Sequence, residues 1–125
     1  MRTGWDLDGV IDRRSHKFLP PSLKEIREAK IILANLISQG NQIIIVTARP
    51  NWMWLITVVW LWLFRVPHHS LVITESWQSK LAILINLDVD VYFDDIPEFV
   101  EWFCQNGINA KHFNGWHNVK ETIAL

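Results

Sequence analysis

The sequence predicts an α/β fold, a three-layer, Rossmann-like, doubly wound parallel sheet of about five strands with no cap domain. Three observations predict it. Short apolar runs such as Ile43-Ile44-Ile45-Val46 are what a strand needs when both of its faces are covered. Between such runs lie stretches with helix-start and helix-stop signals, so strand and helix alternate, and parallel strands then follow from right-handed crossovers. Several runs also end in a polar residue, at the carboxyl edge where ligands bind in sheets of this kind.

Residues Arg2 to Asp6 read as a short strand ending in an acidic turn, where Gly9 supplies backbone freedom. Pro20 and Pro21 close the following loop. Ser22, with Glu25 three residues on, then marks a helix start, and apolar positions recur at Leu23, Ile26, Leu33, Leu36 and Ile37 until Gly40 ends the helix. Gln42 to Thr47 is the second strand, leading into Ala48 and Arg49. Trp52 to Phe64 is apolar nearly all round; despite its β-branched residues it reads as a helix, because the chain must cross back before the next strand. Leu71 to Thr74 is a short strand, Ser79 to Asn86 a helix beginning at Lys80, and Val89 to Phe93 a strand running into Asp94 and Asp95. Pro97 suits the first turn of a helix over Glu98 to Gln105, which Asn106 and Gly107 terminate. Ile108 to Phe113 is the last strand, followed by a short tail.

A length of 125 residues accommodates one core, so a single domain over 1–125 is expected. A net charge of -1 with 20% charged residues excludes a globally basic nucleic-acid or membrane-surface binder. With only Cys104 there is no internal disulfide, and Arg2, Thr3 and Gly4 do not open a signal peptide, so a reducing, cytoplasmic setting is expected. Eight tryptophans leave bulky apolar surface for a partner.

The chemistry gathers at strand ends and one helix start: Asp6 with Asp8, Thr47 with Ala48 and Arg49, Lys80, and Asp94 with Asp95. Carboxylates of this kind hold a hard divalent ion, naturally magnesium, and Thr47, the backbone N–H groups around it and Lys80 can hold a phosphate. Positioning and charge neutralisation are what phosphoryl transfer requires. Taken singly, the same residues are an acidic turn, a strand-end hydroxyl, a solvated first-turn lysine and a helix cap before Pro97.

The four motifs, DLDGV at Asp6 to Val10, VTAR at Val46 to Arg49, Lys80, and FDD at Phe93 to Asp95, resemble in order those of the haloacid-dehalogenase (HAD) superfamily, in particular its small capless phosphatase-like members. The resemblance covers nearly the whole chain. It implies that Asp6 is a nucleophile forming an aspartyl-phosphate and that Asp8 is the general acid and base. It implies Mg2+ held by the Asp6 carboxylate, the Asp8 backbone carbonyl and one of Asp94 and Asp95, with Asp95 favoured as the direct ligand. Thr47 and Ala48 would bind the transferring phosphoryl group, Lys80 would neutralise Asp6 and the intermediate, and Arg49, present in some relatives, would add a phosphate contact.

No cap is inserted after the first strand or after the third, so an open site and a bulky phosphorylated substrate are expected: a nucleotide, a polynucleotide end or a protein. A flap with Arg13, Arg14, His16, Lys17 and Phe18 could grip a polyanion, but a solvated loop is the favoured reading of it. His68, His69, His112 and His117 lack zinc-site spacing. Trp52 to Phe64 is too short to span a bilayer and needs a second cover, for which a homodimer partner is expected. Two rival readings are a catalytically silent scaffold and a phosphotransferase; the motifs do not separate transfer from hydrolysis.

Overall fold

The structure, a computed structural model, describes residues 1–13 and 22–123. Arg14, His16, Lys17 and Phe18 of the basic flap, with Pro20 and Pro21, lie outside the described residues. Five strands, β1 (Arg2–Trp5), β2 (Gln42–Ala48), β3 (Ser70–Thr74), β4 (Val91–Asp94) and β5 (Ala110–His112), form one sheet in the order β3-β2-β1-β4-β5. Every pairing is parallel. Five helices intervene: α1 (Leu23–Ser38), α2 (Trp54–Leu63), α3 (Lys80–Asn86), α4 (Pro97–Gln105) and α5 (Trp116–Ile123).

The period-two alternation of the strands sorts side chains between two cores. Trp5, Ile43, Ile45, Val91 and Phe93 face one side, where α1, α2 and α5 contribute Ala29, Ile32, Leu33, Leu36, Leu61, Trp116 and Val119. Ile44, Val46 and Tyr92 face the other, against Leu84 of α3 and Phe103 of α4. The result is the three-layer, doubly wound sheet that the alternation predicts. Gly4 belongs to the second face, and a methyl group there would meet Tyr92 at 3.0 Å and Leu84 at 3.4 Å, so glycine lets α3 lie close to the central strand.

Local signals explain most boundaries. The Ser22 side chain accepts from the Glu25 backbone N–H, and Gly40 takes φ 89° just past the end of α1. Pro97 sits in the first turn of α4. Elsewhere the structure corrects the expectation. The Trp52 to Phe64 segment begins as a short 3-10 turn, Asn51–Met53, and only Thr57 and Leu61 of α2 are buried. Trp60 turns inward to pack on Phe64 at 5.0 Å between ring centroids, whereas Trp52, Trp54 and Trp62 remain on the surface. Leu23 is exposed, and Ile32 takes its expected place in the core.

β4 and β5 are shorter than their apolar runs. The pairing register joins β5 to β4 only from Tyr92↔Ala110 to Asp94↔His112. The expected tail is instead α5, which buries Trp116 and Val119 against Trp5 and Phe113. No cap domain is evident: the β1 to α1 connection lies within residues 6–22 and the β3 to α3 connection within 75–79, both too short for a folded unit.

Candidate active site

In this strand order β1 is central, and the chain passes from its left neighbours to its right ones between β3 and β4. The crevice beside the carboxyl ends of β1 and β4 is therefore the topological switch point. Asp6 follows β1, its backbone N–H donating to Phe93 O at 3.0 Å, and Asp94 ends β4. Lys80 opens α3 on the same face as Tyr92 and is only 2% exposed. Its ammonium donates to Asp6 Oδ1 at 2.9 Å and to the Tyr92 hydroxyl at 2.8 Å, and lies 3.7 Å from Asp94 Oδ2. The Tyr92 hydroxyl in turn donates a hydrogen bond to Asp94 Oδ2 at 2.9 Å. Asp6, Lys80, Tyr92 and Asp94 thus form one buried chain of charge-assisted hydrogen bonds.

Tyr92 was not singled out in the sequence, where it sits inside an apolar strand. Its signal is register: two residues before Asp94, it must share that residue's face. Burial and the neighbouring Asp6 and Asp94 carboxylates push its hydroxyl well above the usual phenol range, so it stays a neutral donor.

The acids converge as the motifs anticipate. Carboxylate oxygens of Asp6, Asp94 and Asp95 lie within 4.8 Å of one another. Asp94 Oδ1 also accepts from the Ile96 N–H at 3.1 Å, an Asx turn leading into α4; the helix itself has Ile96 at its N-cap and no side-chain cap, so the helix-cap reading of Asp94 and Asp95 does not hold. Asp95 Oδ1 is buried without a hydrogen-bond partner among the described residues, and the Asp95 backbone carbonyl is met by His112 Nε2 at 3.0 Å. Gly9, at φ 83°, makes room for this carboxylate, since a Cβ there would coincide with it.

Burial, partly offset by Lys80 and reinforced by Asp94, raises the Asp6 carboxyl from 3.8 to about 7. Burial and Asp94 likewise push Asp95 upward. Thr47 at the end of β2 is fully buried, and its hydroxyl has no hydrogen-bond partner among the described residues. An acidic, oxygen-only cluster with one orphaned carboxylate oxygen fits a hard cation, and the Thr47 hydroxyl lies at the end of β2, the strand paired with β1.

Asp8 and Arg49 stand apart from that cluster. Arg49 forks the Asp8 carboxylate, Nη2 to Oδ1 at 2.6 Å and Nε to Oδ2 at 3.1 Å. The Asp8 side chain is 58% exposed at the rim. Arg49, expected on a phosphate, is therefore held by a carboxylate, and Asp8 is not grouped with Asp6, Asp94 and Asp95. The bidentate geometry of the guanidinium explains the preference. An open cleft of about 780 Å3 adjoins the pair, lined by Asp12, Ala48, Arg49, Met53, Ile56 and Trp60 among others.

Fold and site together define a class: a doubly wound parallel α/β domain whose switch point carries a lysine-bridged acidic cluster able to hold a metal ion. The sequence matches no family model and no curated protein. Solved structures resemble it. An uncharacterized protein from Corynebacterium glutamicum is similar over 98% of this chain and 92% of that one, with a TM-score of 0.72 and 16% identity. A chain in the structure of a Pnkp1/Rnl/Hen1 complex is similar over 89% of this chain and 45% of that one, with a TM-score of 0.70 and 14% identity. The second likeness thus takes in less than half of a longer neighbour. At these identities the likenesses establish the fold.

Proposed function

We propose that residues 1–125 form one HAD-like hydrolase domain, a magnesium-dependent phosphomonoesterase working through an aspartyl-phosphate on Asp6. The observation that carries this reading is the Lys80–Asp6 pair at 2.9 Å within the Asp6, Asp94 and Asp95 cluster. A fold shared with a chain of the Pnkp1/Rnl/Hen1 complex is compatible with it.

Among the described residues the hydrogen bonds to the Asp6 side chain, from Lys80 Nζ and from the Leu7 N–H, land on Oδ1, which leaves Oδ2 for attack on phosphorus. As the Oδ2–P bond forms, the ester P–O bond breaks; Asp8, released from Arg49 and having taken a proton from solvent, gives that proton to the leaving oxygen. Water then attacks the same phosphorus, Asp8 takes its proton, and the Asp6–P bond breaks to release inorganic phosphate. Thr47 donates to a phosphoryl oxygen, the backbone at Ala48 and the Arg49 guanidinium add contacts, and Lys80 offsets the charge of Asp6 throughout. Asp6, Asp95, Asp94 and the Asp8 backbone would hold Mg2+, which supplies charge neutralisation at the phosphoryl group. The open rim favours a nucleotide, a polynucleotide end or another bulky phosphate ester. Magnesium-dependent release of phosphate from an aryl phosphate, abolished by EDTA, tests the reading; wild-type protein that releases none under any metal overturns it.

Proton and cation compete for Asp6. A carboxyl whose folded pKa is raised from 3.8 to about 7 adds its stability fully below 3.8 and loses it as pH rises through about 7. A cation that needs the ionised form gains where the proton loses. Below about pH 7 the apparent Mg2+ affinity is expected to fall by roughly tenfold per pH unit, and the melting temperature gained from Mg2+ to be larger at pH 8 than at pH 5.5. Calorimetric titration at the two pH values checks this; equal affinities would remove Asp6 from the ligand set.

Among the described residues no helix is long and apolar enough to cross a membrane. The 3-10 turn and the outer face of α2 nonetheless present Trp52, Trp54 and Trp62 at 72%, 53% and 75% exposure, with Leu55, Ile56, Val59 and Leu63. At ~150–250 Å2 per tryptophan the three rings leave roughly 400 Å2 bare. The aliphatic residues bring the face close to the ~800 Å2 per partner of a standard interface. Residues 52–64 carry no charge, so an isologous contact between two copies meets no like-charge repulsion. A homodimer is the reading this favours, in the reducing, cytoplasmic setting that the free thiol of Cys104 suits. Light scattering should give a dimer mass for wild type and a monomer mass for Trp62→Glu; a wild-type monomer, or a variant that stays dimeric, would sink the interface.

A further inference from the structure

The apolar helix α2 carries one hydroxyl, Thr57, and it is fully buried. Valine would fill the same volume without bringing a polar group into the core. The Thr57 hydroxyl gives its proton to Met53 O, one turn back, at 2.8 Å, the usual way a helical threonine satisfies its donor. That bond leaves the oxygen lone pairs unused. One of them accepts from Arg49 Nη1 at 3.0 Å.

Arg49 is therefore gripped at three points. Its backbone N–H donates to Thr74 O at 3.0 Å, Nη1 ends on Thr57, and the opposite edge, Nε and Nη2, forks Asp8. The Arg49 side chain is 14% exposed against 58% for Asp8, so the anchored end is the interior one and the fork is presented at the rim. An arginine has four side-chain torsions, and a guanidinium tied at one edge only is free to turn its fork away along the cleft.

We infer that Thr57 is a positioning residue: through its hydroxyl it fixes the plane of the Arg49 guanidinium so that the fork faces the position shared by Asp8 and an incoming phosphate. This rests on the phosphoesterase reading for its catalytic consequence, but the hydroxyl–guanidinium contact stands apart from turnover. It also accounts for the single polar residue in an otherwise apolar helix.

The test compares Thr57→Val, which keeps shape and loses the hydroxyl, with Thr57→Ser, which keeps the hydroxyl. By 15N NMR the Arg49 Nε–H signal is expected to exchange slowly with water in wild type and Thr57→Ser and to become fast in Thr57→Val. With an aryl phosphate, Thr57→Val should lower kcat/KM by about tenfold, mainly through KM, and Thr57→Ser should recover it. In an Arg49→Ala background, Thr57→Val should have no further effect, since the two then act as one unit. An Arg49 signal unchanged by Thr57→Val overturns the inference, as does a loss in kcat/KM that persists undiminished in the Arg49→Ala background. Should wild type turn over no phosphate ester, the proposed reaction fails, while the NMR comparison still decides the role of Thr57.

Discussion

Asp6→Asn is expected to abolish turnover while leaving the fold intact. Asparagine has the shape of aspartate, and its carbonyl oxygen can still accept from Lys80 Nζ and the Leu7 N–H, the two bonds that orient the wild-type side chain at 2.9 Å each. What it loses is the oxygen proposed as nucleophile, and an amide does not replace a carboxylate in forming an acyl phosphate. A fall in kcat of at least about 10^3-fold follows, because without the covalent step only positioning remains. The melting temperature without metal should change little: the substitution removes a carboxyl whose burial already disfavours its charge, and Asp94 remains 3.7 Å from Lys80. Phosphate release and thermal unfolding, measured side by side, check both halves. A variant retaining more than about a tenth of wild-type kcat would sink the covalent mechanism.

Lys80→Met carries the second large effect, and here stability moves together with activity. Lys80 is buried between Asp6 and Asp94 and donates to Tyr92, so methionine fills its volume but strands two carboxylates without a cation. Breaking a buried pair by removing one partner costs about 3–5 kcal/mol. The cost should be larger at pH 8 than at pH 5, since the carboxyls can escape it by protonation and Asp6 already binds its proton up to about pH 7. Mg2+ should restore part of the loss by taking over the charge. Urea unfolding at the two pH values, with and without Mg2+, is the measurement; a variant as stable as wild type at pH 8 would mean that Lys80 does not compensate the acids in solution.

Much of this architecture was legible beforehand, for physical reasons that differ by element. β2 was plain because Ile43 to Val46 has no polar residue to spoil burial on either face, and all four are buried. The start of α1 was plain because Ser22 and Glu25 are a local capping signal. α5 was missed because Asn114 and Gly115 read as the start of a tail, although Trp116, Val119 and Ile123 already had the spacing of one helical face. In the candidate site, the meeting of Asp6, Lys80 and Asp94 followed from strand ends and one helix start, which topology alone brings together. The Arg49 fork on Asp8 and the inward turn of Trp60 did not follow, because each is a rotamer choice among several partners within reach. Tyr92 was hidden by its own amphipathic nature: it reads as apolar in a run and acts as polar at its tip.

The central place of β1 has a consequence for how the molecule is born. β1 pairs with β2 early in the chain, but its other edge, Thr3 to Trp5, is completed only by Val91 to Phe93. A ribosome that has delivered the first three strands therefore holds a half-sheet whose open border is its future middle, with unpaired N–H and C=O groups beside Trp5. Until β4 arrives, the nascent chain is a template for pairing with strangers, and neither Asp94 nor Asp95 is there to help capture a cation. The strand that ends up paired on both edges is, during synthesis, the one most in need of shelter.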